Sequence, residues 1–170
     1  MVAMKTIAMI KAKADEVRAL YGAQEPPVNL FEIARGEGIE IIYFNSTPET
    51  DDVSGLMDKN AKCIFLNVEE SAARQSFTLA HELAHHFLNH KSNEYGVYRR
   101  DSLYVDQKPE KEREADYFAA ELLMPRELID TAKATYDLTD SDSASLAKLF
   151  GVSPSAMRYR IRKLTHERKG

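Results

Sequence analysis

In the run His81-Glu82-Leu83-Ala84-His85, two imidazoles stand four residues apart with a carboxylate directly after the first. On an α-helix, positions four apart differ by about 40° around the axis and lie about 6 Å apart along it. His81 and His85 therefore face one way and can share a single tetrahedral zinc ion. Glu82 points off that face. Its carboxylate can still reach water at the metal's open position, accept a proton from it and return that proton to a leaving amine. This is chemistry suited to hydrolysing a peptide bond. The flanking Phe77, Ala80, Ala84, Phe87 and Leu88 keep helical apolar spacing, so residues from about Ala72 to Asn89 are expected to form one long, mostly buried helix. Burying two histidines and a glutamate there costs desolvation free energy that a metal ion offsets.

Catalytic zinc normally has three protein ligands and one open position, so another donor must come from a second element. In many zinc peptidases that begin with this histidine pair, a glutamate on a downstream helix is that donor. The stretch opened by Pro109 and ended before Pro125 has helical spacing at Ala115, Phe118, Ala119, Leu122 and Leu123, and offers Glu110, Glu112, Glu114 and Glu121. Glu112 shares a face with Ala115, Asp116 and Ala119, whose small alanines let a neighbouring helix approach closely, and it is selected as third ligand. Glu114, which leads the face of Phe118 and Leu122, is its competitor. Asp116 falls one turn after Glu112, where a carboxylate can accept the second ring N–H of a ligand histidine and fix its tautomer.

The rest of the chain has to position these groups. Its 170 residues with 44% hydrophobic content suit one globular domain with an enclosed core. The only cysteine, Cys63, lies in the apolar run Cys63-Ile64-Phe65-Leu66, which reads as a small buried hydrophobe in a reducing compartment. No run approaches the roughly 20 apolar residues of a membrane span, and none near the N-terminus suits a signal peptide, so a cytoplasmic location is expected. Val2 to Tyr21 has helical character, and Pro26-Pro27 precedes a second helix, Leu30 to Glu37, closed by Gly38. Ile39 to Phe44, Asp51 to Met57 and Lys62 to Val68 read as three short strands, with Asp58-Lys59-Asn60 as the turn between the last two. The polar stretch Lys91 to Lys108 lacks periodicity and is expected to be a loop over the site.

The C-terminal segment has a different charge. From Lys148 to Gly170 seven basic residues face one acid, a balance of +6, while the preceding 147 residues hold 16 basic and 26 acidic residues, a balance of −10. Leu146 to Leu164 reads as two helices around a tight turn: Gly151 ends the first, Ser153 caps the second and Pro154 fits its first turn. That outline suggests a helix-turn-helix-like pair, with Arg158, Arg160 and Arg162 placed to contact DNA or a protein partner. The expected organisation is a metallopeptidase unit over 1–136 and this helical segment over 137–170, packed on the same domain. The rival function is a DNA-binding or repressor-binding regulator whose metal site is structural or vestigial.

Phe77-Thr78-Leu79-Ala80-His81-Glu82-Leu83-Ala84-His85, followed by Glu112-Arg113-Glu114-Ala115-Asp116 and running on to Met124-Pro125, resembles the ImmA/IrrE family of bacterial and phage metallopeptidases. The likeness also takes in Pro27 to Tyr43, Val53-Ser54-Gly55-Leu56, Leu66-Asn67 and Leu146 to Leu164. It implies an α+β fold, mostly helical, with a small three-stranded sheet packed beside the HExxH helix of a thermolysin-like zinc site. It also implies cleavage of helix-turn-helix transcriptional repressors, which switches on mobile-element or stress genes. By position, His81, His85 and Glu112 resemble the family's zinc ligands and Glu82 its general base. The family usually has asparagine where this chain has Asp116, and an acid there still suits hydrogen bonding to a ligand histidine. The resemblance names no oxyanion-stabilising group. By chemistry the candidates are His86, His90, Tyr95, Tyr98, Arg99 and Arg100. Val53, Ser54 and Gly55 would bind substrate as an added strand, with Gly55 permitting close approach.

Overall fold

The described residues of the computed structural model are 4–90, 96–99 and 108–167. They form α1 (Met4–Leu20), α2 (Leu30–Gly36), β1 (Glu40–Phe44), β2 (Val53–Asp58), β3 (Cys63–Asn67), α3 (Ala72–Phe87), β4 (Gly96–Arg99), α4 (Glu110–Leu123), α5 (Arg126–Tyr136), α6 (Ser143–Phe150) and α7 (Pro154–Glu167). The fold is α+β and mostly helical, as expected. Helix starts follow local chemistry: Asn29 accepts from the Glu32 amide and Ser71 from the Arg74 amide, which satisfies N–H groups that a helix leaves open at its first turn. Gly151, at φ 67°, closes α6 in the left-handed conformation that glycine adopts without steric cost. Ser153 Oγ accepts from the Ala156 amide at 3.1 Å and opens α7.

The expected strands β1, β2 and β3 are joined by a fourth, and the sheet order is β1-β3-β2-β4. β1 runs parallel to β3, whereas β2 is antiparallel to both its neighbours. β4 arises within the stretch expected to be a loop; the remainder of that stretch, 91–95 and 100–107, lies outside the described residues. Its presence corrects the placing of a substrate strand on Val53, Ser54 and Gly55. From Gly55 to Met57 β2 is paired on both sides, Gly55 opposing Leu66 of β3 and Tyr98 of β4, while Val53 pairs with Arg99 of β4 and its carbonyl accepts from the Asn67 side chain at 3.0 Å.

α3 lies on β2 and β3, and α4 packs against α3 on one side and α1 on the other. Buried alanines Ala80 and Ala84 of α3 and Ala115 and Ala119 of α4 keep these helices slim where they carry the candidate site. The same core takes in Leu146 and Phe150 of α6 and Met157, Ile161 and Leu164 of α7, so the C-terminal pair shares the interior of the whole molecule. Arg160 is also buried there, which corrects its expected role in DNA or partner contact. Its Nη2 lies 2.8 Å from Glu121 Oε1 of α4, and its Nε donates to the Met124 carbonyl at 2.9 Å. Arg158 and Arg162 are exposed.

Two contacts fix the depth and hold of this scaffold. A Cβ at Gly55 would sit 2.4 Å from Thr78 Cγ2 and 3.0 Å from the Phe65 carbonyl oxygen. Thr78 stands three residues before His81, so the bare backbone at Gly55 sets how closely α3 lies on the sheet. Gly55→Ala should destabilise the fold by about 1–3 kcal/mol through overpacking. Thr78→Ser, which lacks Cγ2, should recover part of the lost melting temperature in the double variant; equal losses with and without it would refute the contact. Arg160→Leu should cost about 3–5 kcal/mol by leaving Glu121 buried without its nearest cation, as read from chemical denaturation.

Candidate metal centre

Helical periodicity delivers the first two donors. α3 carries His81 and His85 on its α4-facing side, both buried, with His81 Nε2 and His85 Nε2 3.2 Å apart. α4 brings Glu112 to them: Oε2 stands 3.0 Å from His81 Nε2 and Oε1 3.3 Å from His85 Nε2. A tetrahedral cation held at about 2.0–2.1 Å needs donor atoms about 3.3 Å apart. One ligand atom from each of His81, His85 and Glu112 lies within 4.8 Å of the others, and the two Nε2 atoms are 3.2 Å apart, close enough for the three side chains to converge on one small divalent cation. His81, His85 and Glu112 are also the one such group of three potential ligands among the described residues.

Groups behind the donors aim them. His81 Nδ1 donates to Asp116 Oδ1 at 2.9 Å, which turns Nε2 toward the cluster. Lys108 Nζ lies 2.6 Å from Asp116 Oδ2 and anchors that carboxylate from behind. Glu114 does not compete for the cluster. It turns to His90, whose Nε2 donates to Glu114 Oε2 at 2.9 Å. His86, an oxyanion candidate by composition, faces away and bonds Glu37 Oε2 at 2.8 Å, where Tyr21 also donates to Glu37. His90 instead lies behind His85, with 2.9 Å between their Nδ1 atoms. Tyr95 and Arg100 lie outside the described residues, and Tyr98 and Arg99 are described only as backbone of β4.

Glu82 is fully buried beside the cluster; no side chain among the described residues hydrogen-bonds its carboxylate, and the Met57 backbone alone favours it as a hydrogen-bonding neighbour. A buried carboxylate so sparsely partnered is costly unless a proton or a ligand satisfies it. Burial accordingly pushes its pKa up to about 8 in the metal-free protein, against the pull of His81. Burial acts in the opposite sense on the His81 ring, but hydrogen bonds to Asp116 and Glu112 outweigh it and raise the group to about 9. The Glu112 carboxylate is disfavoured by burial, yet its bonds to His81 and His85 hold it far below the usual range. Asp116 follows the same balance, lowered by His81 and Lys108 against burial.

These shifts fix the direction of a pH effect. In the metal-free protein His81 carries both ring protons below about pH 9, and a cation needs the Nε2 lone pair. Metal uptake at pH 7 should therefore release protons, and apparent affinity should rise with pH toward about 9 and fall as the solution is acidified. Calorimetry in buffers of different ionisation enthalpy measures the release. Asp116→Ala should weaken binding by about 10–100-fold.

Sequence comparison places this geometry among known proteins. A family profile described as the IrrE N-terminal-like domain matches residues 34–162, which include every group of the cluster. The chain is 30% identical over 164 residues to the radiation response metalloprotease IrrE of Deinococcus deserti, a match covering 94% of this chain and 56% of that protein. It is 28% identical to the metallopeptidase ImmA of Bacillus subtilis, over 78% of this chain and 73% of ImmA. A Bacillus phage phi105 protein, uncharacterized immunity region protein 2, is 30% identical over 75% of each chain. A solved Mycobacterium tuberculosis transcriptional regulator shares the fold at a TM-score of 0.60 and 16% identity, over 88% of this chain and 45% of that one. This chain thus spans little more than half the length of IrrE. With the profile matched across α2 to α7 and His81, Glu82, His85 and Glu112 inside the matched span, the chain belongs to the ImmA/IrrE family of metallopeptidases.

Proposed function

We propose that this chain is a zinc-dependent endopeptidase that hydrolyses a peptide bond in a protein substrate, with a helix-turn-helix transcriptional repressor as the target class. Glu82 carries the reading: a buried carboxylate that no side chain hydrogen-bonds stands beside three convergent donors, where a structural metal site would have no use for it. The names of the relatives, a radiation response metalloprotease, a metallopeptidase and a phage immunity region protein, support proteolysis in a regulatory setting.

His81, His85 and Glu112 would hold the cation. A bound zinc ion supplies a Lewis acid that polarises a carbonyl and makes water acidic near neutral pH. The protein's part is to orient and to move protons. Asp116 keeps the His81 proton on Nδ1, so that Nε2 is presented unprotonated. Glu82, buried beside the cluster and not among its donors, is placed to take the proton of the attacking water and pass it to the leaving amine nitrogen. The outer strand on this side of the sheet is β4, so its backbone, in place of β2, is the edge on which an extended substrate could add.

A second reading rests on α7, where Arg158, Tyr159, Arg162 and Lys163 are exposed and both Arg162 and Lys163 lie over the Tyr159 ring. This basic face would contact DNA or the acidic surface of a protein partner. DNA contact predicts affinity that falls steeply with salt.

Co-expression with a repressor encoded beside its gene should yield a metal-dependent fragment. Glu82→Gln should slow its formation by about 10²–10⁴-fold while metal content stays unchanged, because Glu82 is not a ligand. Cleavage that survives Glu82→Gln would overturn the assignment of the base.

A further inference from the structure

His85 lacks the carboxylate partner that His81 has in Asp116, and the group behind it is another imidazole. The chain leaves α3 at Leu88 and turns at Asn89, which takes the left-handed conformation at φ 53°. This turn folds His90 back under the helix end, where its amide donates to the His85 carbonyl at 3.1 Å. Lys59, on the β2–β3 turn, donates to the carbonyls of both His85 and His90 and ties the turn to the sheet. The His90 ring is thereby buried between His85 and α4. Its Nδ1 is 2.9 Å from His85 Nδ1, and its Nε2 is 2.9 Å from Glu114 Oε2.

We propose that Glu114 and His90 form a positioning chain that fixes the tautomer of His85 and so aims its Nε2 lone pair at the metal cluster. The inference rests on the reading that His81, His85 and Glu112 hold a divalent cation. Hydrogen-bond logic sets the order of protons. An ionised carboxylate only accepts, so Glu114 holds the His90 proton on Nε2. His90 Nδ1 is then an acceptor. His85 must fill it with its own Nδ1–H, which leaves His85 Nε2 unprotonated where it faces His81 and Glu112. The reverse tautomers would place two N–H groups, or two lone pairs, against each other somewhere along the chain. Glu114 thus does for His85, through one intervening ring, what Asp116 does directly for His81.

The test compares His90→Phe, His90→Asn and Glu114→Leu by cobalt(II) titration and by long-range ¹H–¹⁵N spectra of the histidine rings in the zinc-loaded full chain. His90→Phe should weaken cobalt binding by about 10–100-fold, the usual cost of losing an outer partner of a metal ligand. His90→Asn places a side-chain oxygen near the site of Nδ1 and should restore affinity to within a few-fold of the parent. Glu114→Leu should weaken binding in the parent but have little further effect in the His90→Asn background, a non-additivity that simple loss of packing does not produce. The spectra should show His85 protonated at Nδ1 and His90 at Nε2. Parent-like affinity in His90→Phe, or a His90 ring protonated at Nδ1, overturns the proposal while leaving the metal site intact. A parent chain that takes up neither cobalt nor zinc overturns the metal reading and this proposal with it.

Discussion

The interface between α3 and α4 must bury imidazoles and carboxylates together, and this is possible only because each ring proton has an acceptor and each ring lone pair has a cation or a proton to meet. Asp116 and Glu114 supply acceptors on the outer side of the cluster, and Glu112 supplies a charge on the inner side. Charge balance follows from this placement. In the metal-free chain, protons on His81 and on Glu82 occupy the roles that a divalent cation and an ionised base would otherwise fill, which is why both groups are raised so far from their ordinary values. A cation held by His81, His85 and Glu112 would take the place of the proton on His81 Nε2.

That arrangement demands a fixed helix spacing, and the scaffold supplies it from both sides. On one side Gly55 lets α3 settle onto β2 against Thr78. On the other, α4 is held by its own buried ionic group: Glu121 meets Arg160 of α7, its carbonyl accepts from Arg18 of α1 at 2.7 Å, and Lys11 stands 3.9 Å from its second oxygen. Glu121 lies 9 residues after Glu112 on one helix, so whatever fixes it in place fixes the third donor too. A buried ion pair contributes little net stability compared with apolar packing, but it admits few alternative alignments. For a site that tolerates errors of well under an ångström, alignment matters more than gross stability.

What could be read from the sequence was what depends on helical periodicity. The four-residue step between His81 and His85, and the small-residue face shared by Glu112, Asp116 and Ala115, are what bring these side chains together between α3 and α4. The fold class and the first three strands were legible from β-branched runs and turn residues. The rest depended on non-local pairing. β4 lies in a polar stretch without alternation and is a strand only because β2 offers it an edge. The same pairing removed the free edge expected at Val53, Ser54 and Gly55. His90 reaches His85 through a left-handed residue just past the helix, a turn that helical spacing cannot anticipate. Arg160 carried a signal that was overlooked. It sits three residues after Met157 and four before Leu164, both buried, whereas Arg158 and Arg162 fall on the opposite face. Charge alone suggested a basic recognition surface; periodicity assigned one of its three arginines to the core.

The extent of the working unit follows from the same contacts. The family profile spans 34–162, yet α1 ends before residue 34 and still packs along α4, sending Arg18 to the Glu121 carbonyl. At the other end, Glu167 pairs with Arg126 at 2.9 Å, and Arg126 also donates to the Leu164 carbonyl, so the last turn of α7 is fastened to the start of α5. Neither α1 nor the end of α7 supplies a donor to the cluster. α1 holds α4 directly, the end of α7 fastens α5, which follows α4 in the chain, and α4 carries Glu112, Glu114 and Asp116. A truncation to the matched span would keep every candidate ligand in the sequence while removing the supports that align three of the acids, so the structural unit has to be drawn by packing and not by the reach of sequence similarity.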